Sequence, residues 1–455
     1  SDYRRTNFND GLTIRYEGEK FSVASITSYQ YLDDRMNLDQ DFLPLSYFTL
    51  TQARREHAVT EDLVFRSPDD KAYRWLLGAF GFYRHTTMHA PVLFKEDGIR
   101  NLILDRFEPQ GIHAEWGEDT FLLDSRFRTP DYGAALYHES TYDAGRWRFT
   151  AGLRVDFEAS KLHYRSYAEA TYTTQTPDGT SYPHAILVDQ PGTLKQSFTE
   201  ILPKISVLYR MGSSRRNTLY ATVSKGYKAG GFNTQMFSDV LQQQVMKQMG
   251  FGSLYDVADV VTYKPEKSWN YEIGIRSELL FQRLSAELTG FYMDIQDVQL
   301  TKFVNSGNGR ILTNAGKAKS YGIEASLRAR IIDGLTADVN YGFTHATFRD
   351  YNNGKEDFKN NFIPYTPRHT FNVGLQYTRL FRNAWIDQFS ASAQFSGVGK
   401  IFWTERNDIY QKFYGTVNAK VGVRKGIVNV NLWSRNITNT HYSAFYFESF
   451  GNPFI

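Results

Sequence analysis

The sequence predicts an all-β protein, a large antiparallel transmembrane β-barrel. Three observations lead there. Apolar and polar residues alternate with a period of two along much of the 455 residues. The connections between the alternating stretches are short and long by turns. No stretch approaches 18 consecutive apolar residues, which excludes a transmembrane helix. A barrel escapes that exclusion, because alternation flattens the hydropathy average. A mean hydropathy of −0.47 is therefore no argument against a membrane.

The alternation is clearest at 147–157, WRFTAGLRVDF. Trp147, Phe149, Ala151, Leu153, Val155 and Phe157 fall on one side of a strand, with Arg148, Thr150, Gly152, Arg154 and Asp156 on the other. Successive strand residues point to opposite faces, so one face is wholly apolar and the other charged. At 269–278, Trp269, Tyr271, Ile273 and Ile275 oppose Asn270, Glu272, Gly274, Arg276 and Glu278. At 321–331, Tyr321, Ile323, Ala325, Leu327, Ala329 and Ile331 oppose Gly322, Glu324, Ser326, Arg328 and Arg330. The same pattern holds at 371–378 and 417–424.

A soluble sandwich would also alternate, with its apolar side inward. Against it stand strands of about 10 to 20 residues where five or six is usual. The polar faces mix charges with glycine, as a wet lumen would. Tyr and Trp gather near the ends of the apolar faces, at Trp147, Trp269, Tyr271 and Tyr321, as membrane-interface girdles require.

The connections sort by parity. Short ones fall at 18–20, 67–71, 143–146, 211–217, 281–284, 332–335, 379–383 and 425–427. Long polar loops are expected at about 90–118, 160–196, 231–266, 297–311, 347–367 and 403–412. Short turns on one rim and long loops on the other suit an outer-membrane barrel, here of about 17 visible strands. One helix is expected, at 238–249 within a long loop.

The remaining chemistry is mostly exclusion. A net charge of +3 is too small to argue for nucleic acid. With Cys 0 there is no disulfide frame, thiolate metal site or Cys nucleophile. His85 and His89 have helical metal-pair spacing, but on a strand they lie about 13 Å apart. The Asp350 turn lacks the closing Glu of a calcium loop. No G-x-S-x-G, phosphate-binding loop or dinucleotide fingerprint is present. The expectation is no enzyme, no metal site and no resident cofactor. The N-terminus, SDYRRTNFND, has no signal-peptide pattern.

Several segments resemble the TonB-dependent outer-membrane receptors, in the family's order. They are AGLRVDFE at 151–158, ILPKISVLYRM at 201–211, LYATVSKGYKAGGFN at 219–233, PEKSWNYEIGIRSEL at 265–279, NAGKAKSYGIEASL at 314–327, IPYTPRHTFNVGLQY at 363–377 and VNLWSRNITNTHY at 430–442. The resemblance implies a barrel of about 22 strands with a plugged lumen. It also implies a bacterial outer-membrane location, a TonB box ahead of the plug, and nutrient uptake driven through the TonB complex. Residues 1–455 are then expected to be the barrel domain alone, cut at both ends, without plug or TonB box. The implied cargo is a ferric siderophore, so iron enters only within the transported chelate. Vitamin B12, a nickel chelate or an oligosaccharide are the other cargoes; a passive porin or a barrel enzyme are the other classes. A haem receptor is disfavoured because GYKAGGFN stands where its motif would be. Implied partners are outer-membrane lipid and lipopolysaccharide, around a monomeric barrel.

Two residue sets follow. Ligand contact is expected from Tyr227, Lys228, Phe232, Asn233, Phe237, Phe251, Tyr255, Phe303 and Arg310 in and beside the long loops. Cations there attract an anionic chelate and rings pack on its flat groups. Lumen- or plug-facing charges are expected at Arg148, Arg154, Glu272, Arg276, Glu278, Glu324, Arg328 and Arg330. These need partners or water, since a buried charge without either is costly.

Overall fold

The computed structural model describes residues 2–39, 45–212, 216–251, 256–303, 310–353, 356–382 and 385–446, without the side chains of 302, 303, 310 and 311. Sixteen long strands follow in chain order. They are Asp2–Glu17, Ser22–Asp39, Phe48–Arg66, Tyr73–His89, Phe121–Ala144, Trp147–Gln175, Ser181–Met211, Asn217–Lys228, Glu266–Leu279, Leu284–Gln296, Lys317–Ile332, Leu335–Asp350, His369–Leu380, Gln388–Val398, Tyr414–Lys425 and Val428–Ser434. Each pairs antiparallel with the next, so the sheet is a meander. The short strands Val92–Phe94 and His113–Trp116 join it at one edge of the mouth, giving an 18-stranded barrel-like sheet against the 17 expected. Among the described residues the first and last strands do not pair with each other, and both are exposed along their whole length.

The apolar faces look outward. Leu153 is 49% exposed, Ile275 36% and Leu327 39%; none packs into a closed interior. A soluble sandwich would have buried all three. The short turns hold at 18–20, 67–71, 143–146, 281–284, 332–335 and 425–427; those expected at 211–217 and 379–383 lie partly outside the described residues. Gly145, Gly212, Gly334 and Gly426 each take positive φ there, which residues with a Cβ adopt only under strain.

One loop expectation is overturned. Residues 160–196 are not a loop. Trp147–Gln175 runs on for 29 residues, turns at 176–180, and returns as the 31 residues of Ser181–Met211 in unbroken register. At 3.3 Å per residue the ribbon is about 95 Å long, whereas a tilted strand crosses the bilayer in about 9–11 residues. More than half of it therefore stands outside the membrane. Its alternation explains both halves. Up to Phe157 the odd positions are apolar and exposed; from Leu162 the even positions Leu162, Ala168, Ala170 and Tyr172 are apolar and buried. The strand does not slip. The hydrophobic residues change face where the solvent outside changes from lipid to water.

The hydrophobic core accordingly sits above the wall. Phe48, Val92, Phe94, Ile103, Phe121, Leu123, Ile186 and Leu241 belong to one buried cluster built from strand extensions and loops. The expected loop 90–118 feeds it through the helix Glu96–Leu102 and the two short strands. The expected helix is present as Met236–Gln248.

Candidate functional site

The mouth of the barrel is shaped by the chain between Lys228 and Glu266. The strand Asn217–Lys228 ends and the backbone folds back on itself at once. The short strands Gly231–Phe232 and Thr262–Tyr263 pair there, so a Cβ on Gly231 would run into the Tyr263 ring and its hydroxyl. Glycine allows that approach without displacing the tyrosine. Burial raises the pKa of the Tyr263 phenol. The helix Met236–Gln248 then lays Phe237 between Phe127 and Tyr164, with ring centroids 4.9 and 4.5 Å away. Phe127 and Leu162 lie on the strand faces opposite the exposed apolar band, so this loop packs on the inside of the projecting wall. Gln248 fixes the far end: its Nε2 donates to the Leu187 carbonyl at 2.8 Å and its Oε1 accepts from the Leu187 N–H at 3.2 Å.

The expected ligand-contact residues divide within this frame. Tyr227 and Lys228 stand at the wall's upper edge. The Tyr227 hydroxyl donates to Glu158 at 2.6 Å. Lys228 lies 2.7 Å from Glu266 and keeps 65% of its side chain exposed. Phe237 is wholly buried, and Phe232 packs beside it. Asn233 donates to the Leu312 carbonyl and accepts from the Leu312 N–H, both at 2.8 Å. That pair ties the loop to the hairpin of Gln299–Phe303 and Arg310–Asn314. Phe251 meets Phe107 edge-on at 4.7 Å in the cap, the packed loops and strand extensions that stand above the wall. Phe232, Asn233, Phe237 and Phe251 are thus engaged in shaping the mouth. Tyr255 and the side chains of Phe303 and Arg310 lie outside the described residues.

The lumen-facing charges are mostly matched by neighbours. Arg276 meets its register partner Glu287 at 2.8 Å and Arg328 meets Asp338 at 2.6 Å. Arg154 pairs with Asp156 on its own strand at 2.6 Å. Arg148 lies 2.9 Å from Asp143, its partner across the hairpin. Glu278 is 3.9 Å from Arg216. Glu272, Glu324 and Arg330 have no ion-pair partner among the described residues.

Three acidic nodes escaped the sequence reading. Asp143 gathers Arg74 at 2.6 Å, Arg148 and Arg210, each at 2.9 Å, from three strands. Glu200, 2% exposed, is held by Lys267 at 2.6 Å and Lys225 at 3.1 Å. Glu158, held by Tyr227, lines a hollow of about 260 Å³ with Arg154, Asp156, Phe80 and Phe82. The signal for Asp143 was its place opposite Arg148 across a tight turn. For Glu200 and Glu158 it was lumen-side parity.

This wall presents fixed, mostly neutralised polar groups and rings. It offers adhesion to a polar guest or a packed polypeptide. Among the described residues no group of three or more His, Asp or Glu is placed to hold a metal ion.

Comparison with known proteins agrees with this architecture. The family described as TonB dependent receptor-like, beta-barrel matches residues 1–439. The pesticin receptor of Yersinia pestis is 26% identical over 257 residues, covering 55% of this chain and 33% of that receptor. A pesticin receptor of Yersinia enterocolitica is 24% identical over 255 residues, with the same coverage. Among solved structures, the ferric yersiniabactin uptake receptor FyuA from Yersinia pestis aligns with a TM-score of 0.71 at 18% identity, over 98% of this chain and 58% of that one. The siderophore receptor PiuA from Acinetobacter baumannii aligns with a TM-score of 0.67 at 12% identity, over 98% and 62%. At these identities the structural likeness speaks for the fold. The match spans about a third of the curated relatives' length.

Proposed function

Because the chain belongs to the TonB-dependent receptor β-barrel family, we propose that it forms the wall and outer mouth of an outer-membrane receptor that imports a ferric siderophore. Barrels of this family reside in the outer membrane, and the outward apolar faces of this one suit that solvent. The observation that carries the reading is the inversion of faces. Leu153, Ile275 and Leu327 look out, while Arg154, Arg276 and Arg328 line the other side. A wall of that kind encloses a polar space fit for a plug and for passage of a hydrophilic cargo.

Uptake is energised through the TonB complex, acting on a plug that the barrel surrounds. Iron is cargo here, bound within its chelate. The siderophore assignment draws support from the solved relatives, whose names specify ferric yersiniabactin uptake and siderophore reception. Lys228 is the first candidate for chelate contact, being an exposed cation at the wall's upper edge, paired with Glu266. Tyr227 stands next to it, and Phe303 and Arg310 close the two paired strands of the neighbouring hairpin; Tyr255 lies outside the described residues.

The test is expression of the full-length gene under iron starvation and repletion, with ferric-siderophore binding measured on the purified receptor. Induction by starvation and saturable binding are expected. Unchanged expression without binding would remove the siderophore while leaving the barrel in place.

A further inference from the structure

The strand Ser181–Met211 has two edges, and only one is covered along its length. It pairs with Trp147–Gln175 from end to end. Asn217–Lys228 covers the other edge from Met211 to Lys204, and the same register brings its last residue, Lys228, level with Glu200. There the chain turns away into the paired strands Gly231–Phe232 and Thr262–Tyr263. Above Glu200 no strand lies beside that edge among the described residues.

Parity fixes which backbone groups face the open side, because neighbouring strand residues direct their N–H and C=O to opposite edges. Even-numbered residues point into the hairpin: the Arg210 N–H donates to the Arg146 carbonyl at 2.8 Å. Odd-numbered residues point away from it. Leu187 shows this, since its N–H and C=O are both taken by the Gln248 side chain, at 3.2 and 2.8 Å. Along the odd series every second position from 183 to 191 is closed. Pro183 and Pro191 carry no N–H, and Gln248 fills Leu187 between them as one rung of a strand would. From 193 the pattern stops. Thr193, Lys195, Ser197 and Thr199 are exposed, and no backbone bond from the described residues reaches them on that side. They make an unbroken run of open rungs of roughly 20 Å, at 3.3 Å per residue.

An open edge is a template for another strand. We propose that Thr193–Thr199 takes up an extended, acidic segment of a second polypeptide as an added strand. Donors and acceptors that recur at every second residue match another backbone. The charge comes from Lys195, exposed in the middle of the stretch, whose register partner across the hairpin is Lys161. Neither has a carboxylate partner among the described residues. Like charges directly opposed destabilise a sheet, so a carboxylate arriving beside Lys195 relieves both. A second copy of this edge would bring a further lysine, and a plain apolar strand would leave the ammonium groups unanswered. On the inner face lie Leu194, packed on the cluster around Phe237, and Phe198, edge-on to Tyr227. The segment recognised therefore alternates, acidic outward and apolar inward. Its arrival from outside the cell rests on the outer-membrane reading above; the edge itself rests on the pairing alone.

The test uses the full-length receptor refolded into phosphatidylcholine vesicles, and a short synthetic peptide that alternates threonine and valine around a central glutamate. Residue-resolved hydrogen exchange is followed with and without excess peptide. The amides of Thr193, Lys195, Ser197 and Thr199 should exchange readily in the free receptor and slow on addition. The even-numbered amides between them, already bonded within the hairpin, should stay slow throughout. Ser197→Pro removes one outward donor at the parity where Pro183 and Pro191 already stand, so the hairpin should fold. Peptide affinity should then fall about ten-fold, because a carbonyl left unpaired costs more than its bond contributed. Lys195→Glu should reverse the preference from the glutamate peptide to a lysine-centred counterpart. No slowing of the odd-numbered amides, or equal affinity of parent and Ser197→Pro, overturns the proposal. Equal affinity of the parent for both peptides overturns its acidic character. A parent that fails to insert into vesicles overturns the outer-membrane reading, and the same exchange measurement in detergent micelles then decides whether the edge takes a strand.

Discussion

The lower and upper halves of the hairpin of Trp147–Gln175 and Ser181–Met211 are the same ribbon in two solvents. Below, Leu153, Val155 and Ile201 are exposed and Arg154 and Glu200 face inward. Above, Leu162, Ala170, Ile186 and Val188 face inward and Arg165 and Asp189 are exposed. Backbone pairing is continuous through both. Register is thus indifferent to which face is greasy, and the solvent alone decides where the apolar side chains go. The lower half buries its apolar side against lipid; the upper half must build its own core, and does so with distant loops.

Four measurements would break or sharpen this contrast. The largest effect is expected in the cap. Phe237→Ala removes a fully buried ring between Phe127 and Tyr164, which costs about 3–5 kcal/mol in ordinary cores. Hydrogen exchange and proteolysis should loosen at 229–265 while the wall strands keep their protection. Equal loosening of both would show that cap and wall fold as one unit. Next comes charge on the two outer faces. Leu153→Arg should lower barrel stability in bilayers by about 2–4 kcal/mol, and Ala185→Arg on the exposed upper face by less than about 0.5 kcal/mol. Urea titration in lipid vesicles reads both, and equal effects would defeat the two-solvent account.

A smaller change is expected from Asp143→Ala, which strands Arg74, Arg148 and Arg210 together at the turn end of the wall. These arginines are partly hydrated, so the loss is about 1–2 kcal/mol. Removing Arg148 as well should recover part of it in a double-mutant cycle. The smallest effect is at Asp387, in a short turn outside the strands. Its carboxylate accepts the Gly426 N–H at 2.7 Å and Lys425 Nζ at 2.9 Å. The Gly426 N–H first, then Lys425, hold its pKa below the ordinary carboxylate value. A depressed carboxylate stabilises the turn above its unfolded pKa and loses that contribution as pH falls through the folded one. The Gly426 amide resonance should therefore titrate with a midpoint below the ordinary range; a midpoint at or above it contradicts the assignment.

Much of the wall was legible in the residues. Period-two runs at 147–157, 269–278 and 321–331 gave the strands, and glycine-bearing turns such as the one at Gly145 gave the hairpins. The cap was not legible as a unit, because Phe48, Phe94, Phe121, Ile186 and Leu241 meet only in space. Residues 160–196 did carry a signal. Leu162, Tyr164, Ala168, Ala170 and Tyr172 keep an alternation, interrupted at Ser166 and Tyr167 and shifted by one position from that of 147–157. A shift of phase looks like the end of a strand when a single solvent is assumed. For the candidate site, the sequence located the GYKAGGFN corner but not its role. Asn233 and Phe237 are spent on tethering and packing the loop, which depends on Leu312, Phe127 and Tyr164 from far along the chain.

The meander has a kinetic corollary. Every wall strand pairs with its immediate chain neighbours, so alternate closures need only a short turn and the others only one outer loop, and closure entropy grows slowly with loop length. Phe48 and Met246, by contrast, share one cluster although about 200 positions separate them. Assembly should therefore proceed hairpin by hairpin, with the helix Met236–Gln248 docking late. Until it docks, Leu162 and Phe127 remain uncovered, and a nascent barrel is most vulnerable to proteases at its crown.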